Sequence, residues 1–183
     1  MAGEGKGDPC RGSMVPGFRF ILIWMAVGAC GCGLNGAFLL LRPWSMSEQA
    51  FYIFGPHHIY ASVDTSYTNL EDGFMWSNGI GQAFVLTPLF MLSIYRHSQS
   101  REWQAQLLAF TANALTALEV SLEVAADGFE DWRDTRHDAA PWKWWLIYFL
   151  PNLVWIILPV LSCLALYPAL LRGQPGSSKD KQG

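Results

Sequence analysis

Residues 103–127 read WQAQLLAFTANALTALEVSLEVAAD, an apolar run without Gly or Pro that is long enough to cross a bilayer as a helix. The run nevertheless contains Glu119 and Glu123, which are four residues apart and therefore share one helix face. Thr116 precedes this pair and Asp127 follows it, each by about one turn. A carboxylate in the hydrocarbon region costs about 2.5–3.5 kcal/mol on insertion scales, so it is rarely left facing lipid. We therefore expect the pair to face a protein interior or a wet cavity.

Charge is distributed unevenly along the 183 residues, of which 51% are hydrophobic and 15% charged. Four segments are almost without charge: residues 20–41, 75–95, 103–126 and 144–171. Each exceeds the roughly 20 residues that a helix needs to cross about 30 Å of hydrocarbon. A soluble helical bundle is the alternative, but its helices would each have a polar face, which these segments lack. The sequence therefore predicts an all-α fold, an integral membrane bundle of four transmembrane helices.

The segments outside the spans predict the domain boundaries and the topology. Residues 1–17 are polar and rich in Gly and are predicted to be disordered, residues 18–171 form the membrane domain, and residues 172–183 form a tail. Eight Lys and Arg residues lie on the side of the two termini and four on the other side, which predicts cytosolic termini. Lys179 and Lys181 resemble a dilysine retrieval signal, so we expect the endoplasmic reticulum membrane, with a solvated basic tail as the alternative.

The polar side chains within the spans are predicted to lie at one depth of the membrane. Asn78 and Gln82 are four residues apart in the second span and share a face, and Asn152 enters the fourth span at a similar depth. Asn35, the only strongly polar side chain of the first span, is expected to make an interhelical hydrogen bond. Together with the carboxyl pair of residues 119 and 123, they predict a cavity with acid groups in an apolar, aromatic wall.

The connection between the first two spans, residues 42–74, is aromatic and rich in turn residues, so we expect it to fold over the mouth of the bundle as a lid. His57 and His58 are adjacent there, and neighbours in sequence point apart, so we expect no metal site. No cofactor is indicated. No basic patch points to nucleic acid.

The two carboxyl groups predict the chemistry that the cavity supports. Two carboxyl groups one turn apart in an apolar site cannot both ionise cheaply, so the pair should hold at least one proton near neutral pH. A protonated carboxyl is a general acid, and its carboxylate partner is a base. An aromatic face such as Trp155 stabilises a cation by about 2 kcal/mol or more when desolvated. This combination suits protonation of an olefin or epoxide, followed by double-bond isomerisation or ring closure. Two alternatives remain: the pair only bonds helices together, or it binds a cationic amphiphile without chemistry.

Four short segments resemble the emopamil-binding protein family, whose EXPERA domain would cover about residues 18–171. They are YFLPNLVWIILP at 148–159, DTSY at 64–67, LTPL at 86–89 and WMAV at 24–27. The first is similar to the last helix of the family's sterol 8,7-isomerase, and the second to a loop whose Tyr reaches the ligand pocket. The resemblance implies that Asn152, Trp155 and Tyr67 lie in such a pocket.

The chain departs from the family at the isomerase's acid residues. The isomerase has a His and a Glu on the first of these helices, and the corresponding positions of this chain lie near Cys32 and Gly36. The second catalytic Glu of the isomerase corresponds to a position near Asn78 or Gly79. The resemblance therefore implies a diverged member with a relocated acid pair, an isomerase or cyclase acting on a sterol- or terpenoid-like substrate in specialised metabolism. A non-catalytic lipid-binding protein, like the family's receptor-type members, is the second hypothesis, and a structural partner of a larger membrane enzyme is the third.

These arguments give one set of expected site residues. Glu119 and Glu123 are expected to be the catalytic acid–base pair. The expected substrate contacts are Asn152, Trp155, Asn78, Tyr67, Gln82, Thr116 and Asp64. The expected partners are a lipophilic small molecule and the lipid bilayer. The sequence leaves the oligomeric state open, a homodimer included.

Overall fold

The computed structural model describes residues 17–136 and 139–172, and all regular secondary structure in these residues is helical. The α-helices of that part of the chain are α1 (Phe18–Leu40), α2 (Phe51–Ala61), α3 (Gly73–Gly81), α4 (Thr87–Ser98), α5 (Glu102–Phe129), α6 (Arg133–Arg136), α7 (Pro141–Lys143) and α8 (Leu150–Arg172). Two π-helical turns, Gln82–Leu86 and Trp144–Phe149, join α3 to α4 and α7 to α8. Three 3-10 turns lie between α1 and α3: Trp44–Met46, Glu48–Ala50 and Thr65–Thr68.

Four helical segments are long and apolar enough to cross a membrane: Phe18–Leu40, Gly73–Ser98, Glu102–Phe129 and Pro141–Arg172. We call them spans one to four. Their outward-facing side chains are apolar and exposed, as Ile23, Leu118 and Leu164 illustrate, which suits contact with lipid acyl chains. The chain is therefore an all-α multi-pass membrane protein, as the sequence predicts. The predictions for residues 1–16 and 173–183, the dilysine pair included, lie outside the described residues.

The π-helical turn of span two explains how that span accommodates a proline. Pro88 has no N–H to donate and its ring would clash with the carbonyl four residues earlier in a regular helix. The wider turn lies immediately before it, and both the backbone N–H and the hydroxyl of Thr87 bond to the carbonyl of Gln82, the hydroxyl at 2.8 Å. A π-helical turn that begins at Gln82 thus accommodates Pro88 within span two.

Small residues bring span one close to span two. A Cβ added at Gly36 would lie 2.8 Å from the backbone nitrogen of Ala83 and 3.0 Å from the carbonyl oxygen of Gly79. Such a contact is too short for a real side chain, so only glycine permits this approach. Span three packs against α4 on one side and α8 on the other. Its carboxyl face is therefore directed into the bundle.

The connection between α1 and α3 is more ordered than the predicted loop. It contains α2, which is broken at Phe54 by a non-helical backbone and includes Pro56. Phe54 and Tyr67 pack with Phe38 of span one in one buried cluster. Arg42, which is 6% exposed, donates to the backbone carbonyls of residues 39, 67 and 69, each at 3.0 Å. The connection is therefore fastened over one end of the bundle, and we call it the roof.

Candidate functional site

A cavity of about 460 Å³ lies among the four spans beneath the roof. This volume falls within the roughly 300–1,000 Å³ that is usual for small-molecule sites. Every span contributes to its wall: Gly31, Cys32 and Asn35 from span one, Gln82 from span two, Thr116, Glu119, Val120 and Glu123 from span three, and Ile147, Pro151, Asn152 and Trp155 from span four. The roof contributes Pro56, His57, Ile59, Tyr60 and Tyr67.

The two glutamates lie in the same wall of the cavity, on consecutive turns of α5. Glu123 is 4% exposed, and its Oε2 accepts a hydrogen bond of 3.1 Å from the side-chain nitrogen of Asn78. Its other oxygen, Oε1, is buried and has no hydrogen-bond partner among the described residues. Glu119 is partly exposed and interacts with the amide of Gln82. The two carboxyl groups therefore differ: one is fixed and buried, and the other is more accessible.

A chain of side-chain amides holds Glu123 from the opposite side of the bundle. Asn35 donates to Oε1 of Gln82 at 2.8 Å, Gln82 donates to Oδ1 of Asn78 at 3.3 Å, and Asn78 donates to Glu123. The chain runs from span one through span two to span three. Each amide donates its N–H to the next acceptor in the chain. The last amide, that of Asn78, therefore donates to the carboxyl group of Glu123. The interhelical bond expected of Asn35 is confirmed.

An indole ring, that of Trp155, forms part of the apolar wall of the cavity. The ring of Trp155 packs against that of Trp24, with 4.9 Å between centroids, and a Cβ added at Gly31 would lie 2.9 Å from it. Trp24 is itself fixed, because its Nε1 donates to Asn113 of span three at 3.0 Å. Trp155 is therefore held between two spans and has little freedom to move.

Two tyrosines close the cavity from the roof. The rings of Tyr60 and Tyr67 lie 4.8 Å apart, and the hydroxyl of Tyr60 accepts a hydrogen bond of 2.9 Å from Asn152. Burial raises the pKa of both hydroxyls well above the ordinary value, and the nearby Glu123 carboxyl raises each pKa further. Both tyrosines therefore remain neutral hydrogen-bond donors at any physiological pH.

The structure places five of the seven expected substrate contacts on the cavity surface: Tyr67, Gln82, Thr116, Asn152 and Trp155. The hydroxyl proton of Thr116 is not available to a substrate, because the hydroxyl donates to the carbonyl of Ala112 at 2.9 Å. Asn78 does not line this cavity, and it acts on the site through Glu123.

Asp64 is the other expected contact that does not reach the cavity. It is completely buried in the roof, and its Oδ1 accepts from the backbone N–H of Ser66 at 3.1 Å and from the Ser66 hydroxyl. Burial raises the pKa of Asp64 from about 3.8 to about 7, against the opposing effect of the Ser66 hydrogen bond. Asp64 therefore caps the turn that carries Tyr67.

Two further cavity residues, Tyr60 and His57, are not among the site residues expected from the sequence. Both lie in α2, within the segment predicted as a loop. The His57 ring stacks on Phe38 with 5.3 Å between centroids, and its buried Nδ1 has no hydrogen-bond partner among the described residues. Burial lowers the pKa of His57, and the neighbouring His58 lowers it further. The ring is therefore a neutral imidazole in the roof of the cavity.

Within residues 17–136 and 139–172, no group of three or more His, Cys, Asp or Glu side chains is arranged to hold a metal ion. Comparison of the chain with the models of known protein families gives no match, and comparison with curated proteins gives none. The likeness to the emopamil-binding protein family stays a prediction.

Proposed function

We propose that this chain is a membrane-embedded isomerase or cyclase that acts by proton transfer on a sterol- or terpenoid-like substrate. The observation that carries the proposal is the pair of carboxyl groups, Glu119 and Glu123, in the wall of an apolar cavity of about 460 Å³. Two charged carboxylates so close in an apolar site would repel each other, so the pair holds at least one proton. One acid and one base on adjacent turns are the groups that such a reaction needs.

We assign the role of acid to Glu123. Its Oε2 accepts from Asn78, so the proton resides on Oε1, which is the oxygen without a protein partner. Transfer of that proton to one carbon of an olefin, or to an epoxide oxygen, leaves Glu123 as a carboxylate and a carbocation on the substrate. Glu119 then removes a proton from a neighbouring carbon, and a new double bond forms. The proton passes from Glu119 back to Glu123, so the product is an isomer of the substrate.

The aromatic walls suit the cation that such a reaction forms. The faces of Trp155, Tyr60 and Tyr67 border the cavity, and an aromatic face attracts a desolvated cation by about 2 kcal/mol. Asn152 fixes the hydroxyl of Tyr60, so that ring keeps its position. The fixed rings would also limit how a flexible isoprenoid chain folds before ring closure.

We place this activity in the endoplasmic reticulum membrane with both termini in the cytosol. The support is the excess of Lys and Arg on the side of the termini, eight against four, and the two lysines near the C-terminus. The roof would then lie on the lumenal side. The proposed relation to the emopamil-binding protein family agrees with this location.

A second candidate function is lipid binding without chemistry, as in receptor-type proteins of that family. It is favoured by the apolar and aromatic lining of the cavity, which is typical of small-molecule binding sites with or without catalysis. Binding requires the cavity but no proton donor, so removal of the acidic protons distinguishes the two functions.

The test compares product profiles of microsomes that contain the wild-type protein, Glu119→Gln or Glu123→Gln, supplied with lipid and terpenoid extracts. Gln preserves the size and an amide oxygen but cannot deliver a proton, so each change should reduce turnover by about 10²-fold or more. Glu71→Gln is the matched control, because Glu71 is exposed and lies outside the cavity. Unchanged turnover in both cavity variants would refute the acid–base pair. Saturable sterol binding without turnover of any extract would favour the binding protein.

A further inference from the structure

A second cavity of about 320 Å³ lies on the outer face of the bundle, in the groove between span two and span three. Most of its lining is apolar, with Phe74 and Val85 on one side and Leu118 and Leu122 on the other. These four side chains are exposed on the surface that faces lipid. The groove is therefore open to the bilayer and suited to an apolar chain.

Two polar side chains separate this groove from the central cavity. Glu119 lines both spaces, and Asn78 lines the groove while its amide holds Glu123 in the central cavity. At this level the barrier is made of side chains, and the carboxyl group of Glu119 is the part of it that is not fully buried. The two spaces therefore adjoin at the side chain of Glu119.

Gly81 lies in the groove, and helix packing does not explain why this position is a glycine. A Cβ added at Gly81 would meet only Oε1 of Glu119, at 3.9 Å, which is an ordinary contact. At Gly79 the added Cβ would lie 2.9 Å from Leu39, so that glycine is required by the approach of span one. Glycine inside a helix is less favourable than alanine, so a glycine without a close neighbour needs another reason.

The other side of the cavity is closed by the roof. Tyr67 is 5% exposed, and Arg42 fastens the turn that carries it through the carbonyls of residues 67 and 69. A lipophilic molecule in the bilayer would in any case have to leave the hydrocarbon to reach that side. The groove, in contrast, begins in the hydrocarbon.

We infer that the groove between spans two and three is the access route by which the lipophilic substrate passes from the bilayer into the cavity, across Gly81 and past the side chain of Glu119. This inference rests on the proposed function for the nature of the molecule, an isoprenoid or sterol. It gives Glu119 a second role, that of a movable partition. The continuity of the groove with the cavity at Glu119 favours a molecule in transit over a lipid that covers the surface permanently.

The test uses a farnesol analogue with a diazirine, dissolved in phosphatidylcholine vesicles that contain the full chain. Photolysis after increasing times, followed by mass spectrometry, gives the rate at which label appears at Trp155 in the cavity and at Leu122 in the groove. Gly81→Leu should slow the labelling of Trp155 by about tenfold or more, which corresponds to 1.4 kcal/mol of added barrier. Gly81→Ala, which has room for its methyl group, should label as the wild type does.

Two further variants separate blockage from damage. Leu118→Trp fills the groove from span three and should also slow labelling in the cavity, whatever the stability of the glycine variant. Ala114→Leu adds bulk to an exposed position of span three that lines neither cavity, so it should have no effect.

The outcomes distinguish this inference from the proposed function. Equal labelling of the cavity in wild type, Gly81→Leu and Leu118→Trp would overturn the access route. Label confined to the groove in the wild type would also overturn it, because the groove would then be only a lipid-covered surface. Slower labelling in both blocked variants, with no turnover of any extract, would support the access route and count against catalysis.

Discussion

Replacement of Arg42 by alanine should destabilise the protein strongly, although Arg42 lies outside the spans. Its guanidinium is 6% exposed and donates to the carbonyls of residues 39, 67 and 69 at 3.0 Å each. It also lies 5.1 Å from the centroid of the Trp76 ring. The side chain therefore joins the end of span one to the turn that carries Tyr67 and to the start of span two.

The expected loss follows from the number of carbonyls that lose a donor. A hydrogen bond to a charged group contributes about 1.5–3 kcal/mol, and a buried carbonyl left without a partner costs about 1–3 kcal/mol. Residues 39 and 67 are buried, whereas residue 69 is exposed and water can replace the lost donor there. Two buried carbonyls at about 1–3 kcal/mol each therefore set the loss at about 2–6 kcal/mol, which reaches the upper range for single substitutions. At about 2–4 °C per kcal/mol for a chain of this size, Tm should fall by roughly 10 °C.

Thermal unfolding of the protein in lipid nanodiscs measures this loss. Arg133→Ala is the matched control, because Arg133 is exposed and its ion pair with Glu130, at 2.8 Å, is a surface pair. Such pairs contribute about 0–1 kcal/mol, so Tm should change by roughly 4 °C or less. Arg42→Lys keeps the charge without the planar set of donors and should give an intermediate Tm. Equal changes in Tm for Arg42→Ala and Arg133→Ala would refute the reasoning that Arg42 fastens the roof.

Two other predictions concern the cavity wall and the roof. Gly31→Ala would place a methyl group 2.9 Å from the Trp155 ring and should lower turnover by displacing that ring. Gly33→Ala is the control, because its methyl group would lie 3.6 Å from the nearest neighbour and should leave turnover unchanged. Equal turnover in both variants would contradict the fixed position of the Trp155 ring. Asp64 has a pKa of about 7 in the folded protein against an ordinary value of about 3.8, so between these values the native state holds a proton that the unfolded chain releases. The stability of the wild type should therefore fall more steeply than that of Asp64→Asn as pH rises from about 4 to about 7, and parallel unfolding temperatures across this range would count against it.

The spans could be predicted from the sequence because their signal is local. A charge-free run of more than 20 residues is sufficient evidence of a membrane helix, and the predicted limits differ from the observed ones by only a few residues. The pairing of Glu119 with Glu123 is equally local, since a helix always places residues four apart on one face. The convergence of polar groups at one depth follows from the same reasoning. The hydrogen bond between Asn78 and Glu123 joins two of these groups across spans two and three.

The roof could not be predicted in this way, because its order comes from contacts distant in sequence. Gly55 and Pro56 argue against a helix, and the backbone does leave the helical conformation at Phe54 just before them. The segment is held by Phe38 of span one, by Arg42 and by the bond from Asn152 to Tyr60, which joins residues 92 positions apart. Nothing in the pattern of the segment itself shows that Tyr60 or His57 would reach the cavity.

The amide chain that ends at Glu123 would determine the configuration of the product. Because Asn78 engages one carboxyl oxygen, Glu123 cannot turn freely, and in the proposed reaction its proton would leave from the other oxygen in one direction. The ring of Trp155, which packs against Trp24, also lines the cavity and limits the poses of a substrate. A planar alkene between these groups presents only one of its two faces to the acid. The new C–H bond should therefore form with a single handedness, and loss of the Asn78 amide should yield a mixture of epimers.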